Sequence, residues 1–527
     1  MRRQLVITFL ILLFGWAILP QIAAASRPNI ILIMSDDQRQ DDMAVMKKTN
    51  QLLTRTGTTF ANSYVSYSLC CPSRTTLLTG QYMHNHGITW NFWPEGGYFK
   101  FKHSTNNGGW GNTLPSWLQR SGYHTGLIGK YLNQYGEDDP STPSKDPHPR
   151  EIPPGWSEWM GGVDPTTYSY FGYTLNVNGK LRRYGRCERV DLKGHVSSNP
   201  LDGCKTTSQT GKDGSEYQTD VLSSYAENFI NKNSKSKKPY FLWVTPTAPH
   251  TTTSTGENEG LPAIPPKRYK KTFSSSLLPH WPSLDEADVS DKPFLQGFFH
   301  WFPRMGAGGI AMATAHYRGR RGAVLGLDDM VARVKAAVNK SPDKNNTIII
   351  YTSDNGWLLG EHRIVAQKFF GFDESIRVPL IISGPGFNHR GGYKISSPAV
   401  NADLAPTILK AAGTRAGRPM DGIALQNLRS NPGAWAERSV AIETGPNPRG
   451  PFYSGLHSKR WHLEIITGGG LPDRYELYDM LKDPHQMDAV TADPRYAGIL
   501  SQLISMTHTL GACKGRQCDM TTKLVAP

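Results

Sequence analysis

Five short apolar runs, largely β-branched, punctuate the chain at Asn29–Met34, Thr125–Gly129, Tyr240–Thr245, Thr347–Thr352 and Pro379–Ser383, and each leads into polar residues. None alternates between apolar and polar positions, which is the pattern of strands covered on both faces. Helical patterns fall between them, at Tyr217–Asn231 and Asp328–Asn339. Strands and helices in alternation predict an α/β fold, a mainly parallel sheet sandwiched by helices. Ligands of such sheets gather beyond the carboxyl ends of the strands. The residues just past each run are therefore informative: Ser35-Asp36-Asp37 after the first, Lys130 after the second, His250 at the end of Thr245-Pro246-Thr247-Ala248-Pro249-His250, and Ser353-Asp354-Asn355 after the fourth. Three carboxylates, an amide, a lysine and a histidine are expected along one edge.

Past Gly413–Gly422 the pattern changes to short strand-like pieces (Ser439–Thr444, Trp461–Thr467, Tyr475–Tyr478) and a helix near Tyr496–Leu510. This predicts a smaller C-terminal α+β lobe, an antiparallel sheet plus helix, over 421–527, after a larger domain over 26–420. The Pro-rich stretches Gly136–Gly155 and Thr251–Pro266 are expected to be surface insertions.

Residues 1–25 read as an export signal: Met1-Arg2-Arg3, an apolar run from Leu5 to Leu19, then Ala23-Ala24-Ala25. The run is shorter than the roughly 20 residues a spanning helix needs, so cleavage without a stable membrane span is expected. In an exported chain thiols tend to pair. Cys187 with Cys204 and Cys513 with Cys518 are the predicted disulfides, leaving the adjacent Cys70 and Cys71, a spacing that disfavours a mutual bond. The net charge of +14 in 527 residues raises nucleic acid as a partner, but it is dispersed, with no long basic run and no zinc-finger spacing. No nucleic acid partner is expected.

The segment Ser68-Leu69-Cys70-Cys71-Pro72-Ser73-Arg74-Thr75-Thr76-Leu77-Leu78-Thr79-Gly80 resembles the signature of the formylglycine-dependent sulfatase family, Cys-x-Pro-Ser-Arg succeeded by an apolar pair and Thr-Gly. A second signature is matched by Gly122-Tyr123-His124-Thr125-Gly126-Leu127-Ile128-Gly129-Lys130-Tyr131, and the likeness runs from Arg27 to Asp479. The resemblance implies an alkaline-phosphatase-like fold and a maturation enzyme that oxidises Cys70 to Cα-formylglycine. One hydroxyl of that aldehyde's hydrate attacks sulfur, and the other collapses to release sulfate, so the covalent intermediate has a built-in exit. Asp36, Asp37, Asp354 and Asn355 offer only oxygen, which suits a hard cation, Ca²⁺ better than Mg²⁺. By resemblance they hold Ca²⁺ against the modified Cys70, Arg74 and Lys130 steady the hydrate, and His250 and Lys368 sit near the leaving oxygen. Taken alone, Asp36-Asp37 would read equally as a strand-end cap and Asp354-Asn355-Gly356 as a turn.

One position departs from many arylsulfatases, which carry a histidine two residues after the signature lysine; here it is Leu132. The Gly-Lys-Tyr-Leu-Asn reading resembles the N-acetylglucosamine-6-sulfatase branch instead. This leaves His84, His86 and a water held by Asn133 as candidate bases. Trp90, Phe92 and Trp93 could stack on a sugar ring or pack a loop. The chain is thus expected to be an exported, periplasmic or secreted, Ca²⁺-dependent enzyme acting on a sulfated sugar or glycosaminoglycan. The rival readings are a broad-specificity arylsulfatase, a phosphonate or phosphate monoester hydrolase, and a non-catalytic sulfated-glycan-binding relative.

Overall fold

Every residue of Asn29–Ser35 (β1) is buried. Ile30, Leu32 and Met34 enter one core and Ile31 and Ile33 another, so the period-two alternation of a strand is expressed between two apolar layers rather than between core and water. The computed structural model describes residues 27–524 apart from 106–108, 142–147, 192–194, 200, 253–259, 299–302, 446–451 and 469–471. The leader expected over 1–25 lies outside the described residues.

With β1 in the main sheet are β2 (Thr58–Phe60), β3 (His124–Gly129), β4 (Glu158–Gly162), β5 (Tyr173–Val177), β6 (Lys180–Tyr184), β7 (Tyr240–Thr245), β8 (Thr347–Ser353), β9 (Leu380–Ser383) and β10 (Tyr393–Ile395). Their order is β10-β2-β9-β8-β1-β7-β3-β4-β5-β6. The central strands β8, β1, β7, β3 and β4 are parallel, and β5 and β6 fold back as an antiparallel hairpin at one edge. Four of the five predicted runs are parallel strands. The fifth is corrected: β9 runs antiparallel to β8. The chain leaves β8 at its carboxyl end, crosses that edge through Lys368, and re-enters the sheet from the same side, which reverses the strand.

Helices α1 (Cys70–Thr79) and α2 (Met83–His86) come early; α3 (Gln218–Asn233) and α4 (Ala307–Lys340) come next, then α5 (Leu404–Ala412) and α6 (Ala497–Gly511). Leu77 and Leu78 of α1 and Ile408 and Leu409 of α5 share one core with Ile30 and Leu32. Leu222 and Phe229 of α3 and Val324, Leu327 and Val331 of α4 share the other with Ile31 and Ile33. The helix expected from Asp328 in fact begins at Ala307. Glycines disguised its first half, and two of them serve a close approach: a Cβ on Gly319 would lie 2.5 Å from the Ala263 carbonyl oxygen, and one on Gly322 2.7 Å from Pro265.

The later part of the chain forms an antiparallel sheet of β11 (Arg438–Glu443), β12 (Phe452–His457), β13 (Trp461–Thr467), β14 (Arg474–Asp479) and β15 (Met520–Thr521), ordered β14-β13-β12-β11-β15. Ile499, Leu503 and Leu510 of α6 join its core. Strand β12 was not expected, because Ser454-Gly455 breaks its apolar pattern. Cys187–Cys204 and Cys513–Cys518 are both bonded, and Cys70 and Cys71 are free and buried. Among the described residues no helix is long and apolar enough to cross a membrane.

Candidate active site

Cys70 is the first residue of α1, entered from an extended Leu69, and Arg74 lies one turn further along the same helix. Every residue of that helix is buried, which fixes both side chains against the carboxyl edge of the sheet. There the strand ends deliver their partners. Cys70 Sγ lies 3.6 Å from Asp36 Oδ1 and 2.8 Å from Lys368 Nζ. Lys130 Nζ donates to Asp36 Oδ2 at 2.7 Å, and Lys368 Nζ to Asp37 Oδ1 at 2.5 Å. Arg74 Nε donates to Asp354 Oδ2 at 2.8 Å, while its Nη1 donates to Thr245 Oγ1 and the Lys130 carbonyl at 2.8 and 2.9 Å. His250 Nε2 is 3.5 Å from Asp37 Oδ2, and its Nδ1 meets the Thr251 carbonyl at 2.6 Å. All the predicted residues are thus brought together: Asp36, Asp37, Cys70, Arg74, Lys130, His250, Asp354, Asn355 and Lys368.

The oxygens fit a hard cation. The donor atoms of Asp36, Asp37, Cys70 and His250 lie within 4.8 Å of one another. Asp37 Oδ2 and Asn355 Oδ1 are buried and, among the described residues, accept no hydrogen bond. An acceptor left so is a cost that a cation beside it would remove. Asn355 is aimed by its own amide, which donates to Asp37 Oδ1 at 2.6 Å. Asp354 is the more committed member: its Oδ1 accepts from the Asp37 N–H at 3.0 Å, and Ser73 Oγ donates to its carbonyl at 2.5 Å.

Three carboxylates therefore face three cationic side chains, and a divalent ion would tip the balance positive. Burial works to raise the Asp36 carboxyl, but Lys130 and His250 outweigh it and hold Asp36 down at about 2. Asp37 is likewise lowered, with Lys368 overcoming burial. Burial pushes the Cys70 thiol up to about 12, so as a bare thiol it is protonated at neutral pH. Burial also lowers the His250 imidazole.

The candidate bases fare differently. His84 spends Nδ1 on Glu443 and Nε2 on the Cys513 carbonyl, and His86 spends its nitrogens on Thr76 and the Ile88 N–H. Both are corrected to structural histidines joining α2 to its surroundings. Asn133 Nδ2 donates to the Tyr168 hydroxyl at 2.7 Å. Trp90 and Phe92 line a cavity of about 590 Å³ that reaches His250 and Lys368, together with Trp357 and Phe369. Trp93 does not; it packs edge-on against His103.

Two neighbours carried no sequence signal. The Tyr168 ring lies under Lys130 Nζ at 4.9 Å and against His250 at 5.0 Å. Arg320, fully buried in the middle of α4, donates to the carbonyls of Asp37 and Pro249, so one guanidinium holds the loops of both Asp37 and His250. Asp37 has φ +64°, a conformation that needs such support.

Comparison with known proteins points the same way. The sulfatase family model matches residues 28–414, and the model described as N-sulphoglucosamine sulphohydrolase, C-terminal, matches 360–511. An arylsulfatase of Volvox carteri is 28% identical over 573 residues, covering 100% of this chain and 81% of that protein. The N-acetylglucosamine-6-sulfatase of Homo sapiens is 28% identical over 542 residues, covering 94% and 86%. A solved structure described as a complex with its substrate D-glucosamine-2-N,6-O-disulfate aligns with TM-score 0.66 at 23% identity, over 92% of this chain and 97% of its own. The phosphonate monoester hydrolase of Agrobacterium radiobacter aligns with TM-score 0.66 at 20% identity, over 92% and 96%. These two structural likenesses concern the fold, a large mixed sheet between helices with a smaller antiparallel sheet beyond it.

Proposed function

The chain belongs to the sulfatase family and is a sulfuric ester hydrolase, and from that premise we propose that it removes sulfate from a sulfated sugar or glycosaminoglycan fragment, in the manner of an N-acetylglucosamine-6-sulfatase. In this reading Cys70 is converted to Cα-formylglycine by a maturation enzyme, and Ca²⁺ is held by Asp36, Asp37, Asp354, Asn355 and the modified Cys70. The observation that carries it is the pair of undonated buried oxygens, Asp37 Oδ2 and Asn355 Oδ1, in the cluster that also holds the Cys70 side chain. Together the cation and the aldehyde hydrate would supply charge withdrawal from a sulfate oxygen and a nucleophilic hydroxyl.

The chain's own residues do the rest. Arg74 fixes Asp354, and Lys130 fixes Asp36, each through a direct ion pair. The carbonyl of Thr251 can only accept, so His250 Nδ1 carries the hydrogen between them, and Nε2 is the nitrogen free to take or give a proton. Lys368, 2.8 Å from Cys70 Sγ, is placed to donate toward the leaving oxygen. The cavity beyond them, walled by Trp90, Phe92, Trp357 and Phe369, would hold the sugar. Export to a periplasmic or extracellular setting belongs to the same proposal, supported by the two bonded cysteine pairs.

Matched turnover assays test it. N-acetylglucosamine 6-sulfate should be hydrolysed faster than an aryl sulfate and far faster than an aryl phosphate. Chelation should suppress turnover and Ca²⁺ restore it. Preference for the aryl ester would favour the arylsulfatase alternative, preference for phosphate the phosphonate or phosphate monoester one. Glycan binding without any turnover would leave the non-catalytic reading.

A further inference from the structure

The +14 charge is not spent at the active site, where Arg74, Lys130 and Lys368 each face a carboxylate. Part of it is gathered at the opposite end of the sheet. Strand β6 is the outermost strand of the main sheet and exposes Lys180, Arg182 and Arg183. The segment after α3 exposes Lys235, Lys237 and Lys238. Some fifty residues separate the two groups in sequence, but one anchor joins them in space. The turn before β6 is tied to Trp159 by Asn178, whose N–H donates to the Trp159 carbonyl at 2.8 Å and whose Oδ1 accepts from the Trp159 N–H at 2.7 Å. The end of α3 is tied to the adjacent Glu158 by Asn233 Nδ2 at 3.2 Å. Glu158 opens β4, at the amino end of the parallel strands and therefore across the sheet from Cys70.

Side-chain direction strengthens the link. Lys180, Arg182 and Tyr184 share one face of β6 by period two, and Tyr184 on that face meets Tyr225 of α3 hydroxyl to hydroxyl at 2.6 Å. Lys180 and Arg182 thus project on the α3 side. Nearby carboxylates are already taken: Glu158 by His124 and Lys232, Glu227 by Arg333. Arg183 alternates to the opposite face; none of the other five cations, Lys180, Arg182, Lys235, Lys237 and Lys238, forms an ion pair among the described residues. Like charges so placed repel one another, whereas a flexible polyanion laid across them would neutralise several at once and release its counterions.

We infer that this edge is a docking surface for a sulfated polysaccharide chain, distinct from the pocket that hydrolyses the ester. The inference rests on the proposed substrate class and extends it: the polymer is held at one edge of the sheet and cut at the other.

The test compares two triple charge reversals. K180E/K237E/K238E alters the surface. K267E/K270E/K271E alters an equally basic run in sequence, whose neighbour Arg268 is matched by Asp213, Asp220 and Asp329. With heparin as the probe at fixed salt, the first variant should bind at least about tenfold more weakly than wild type and the second within about twofold. Both should keep wild-type turnover of a sulfated monosaccharide. Equal loss in the two variants would reduce the effect to net charge and overturn the inference, as would unchanged heparin binding by the first. Aggregation of the first variant with heparin affinity intact would make the cations guards of an exposed strand edge instead. Duplex DNA bound as tightly as heparin, and lost in the same variant, would replace the glycan with nucleic acid. Failure of the wild type to cleave any sulfate ester falls on the functional reading alone, since heparin binding is measured without turnover.

Discussion

Burial meets opposite outcomes in two acidic clusters of this molecule, Asp36 and Asp37 being lowered and Glu464 and Glu476 raised. At the edge of the main sheet, Asp36, Asp37 and Asp354 are fully buried yet face Lys130, Lys368 and Arg74, and Asp36 is held at about 2. In the C-terminal sheet, Glu464 and Glu476 lie directly opposite one another on β13 and β14. Burial pushes each up to about 8. The lysine felt by Glu476, Lys292, is spent on Glu286, Asp291 and the Met487 carbonyl. Burial is common to both clusters, so it cannot mark the site; the cations and the undonated oxygens do. A neutral Glu464 has a clear structural use. With His457 and His462 sharing a proton through their Nδ1 atoms at 2.9 Å, a protonated Glu464 can donate to His462 Nε2 at 3.1 Å.

Substitutions can break this contrast. The largest effect is expected at Cys70. Cys70→Ala should lower turnover at least about 10⁴-fold, because the proposed nucleophile is removed, and should change stability by only about 1 kcal/mol. A collapse of folding would make Cys70 structural. Next comes Arg320, which touches no substrate position but holds two loops that do. Arg320→Met should reduce kcat by about 10–100-fold with KM nearly unchanged, and Arg320→Lys should recover part of it. Equal changes in kcat and KM in both variants, tracking lost stability, would count against a positioning role.

The cavity wall should respond more weakly. Trp90→Ala or Phe92→Ala should raise KM by about 3–10-fold on a sulfated sugar, the scale of one lost aromatic contact; no change would remove them from the substrate pocket. A stability effect, with no change in turnover expected, sharpens the other side of the comparison. Glu464 is raised in the folded protein, so the folded state binds its proton more tightly. The stability this contributes is complete below the unfolded carboxyl value and is lost as pH rises from about 4.5 to about 8. Glu464→Gln should therefore nearly match wild type at pH 5 and melt roughly 3–5 °C higher at pH 8. A lower melting point at pH 8 would mean that the ionised carboxylate is the stabilising form.

The same physics governs how much the sequence disclosed. Buried parallel strands are continuous apolar runs, so β1, β3, β7 and β8 and the residues just past them were legible, and with them Asp36, Asp37, Lys130, His250, Asp354 and Asn355. The direction of β9 was not, because it depends on which edge the 354–379 segment returns from. The first half of α4 was hidden by glycines that exist to let 262–266 pack against it. Tyr168 and Arg320 were invisible because what they hold is long-range: Arg320 acts on Asp37, 283 residues away. His84 and His86 were overread, since proximity in sequence to the signature cannot tell a base from a histidine that ties α2 to Glu443 and Thr76.

The central claim is that residue 70 does not act as the thiol that translation makes. Mass spectrometry of the tryptic peptide 56–74, taken from protein that is turning over a sulfate ester, tests it directly. The account predicts the aldehyde at position 70, its SH and one hydrogen replaced by a carbonyl oxygen, in proportion to activity across preparations. A wholly unmodified thiol at Cys70 in active protein would contradict it.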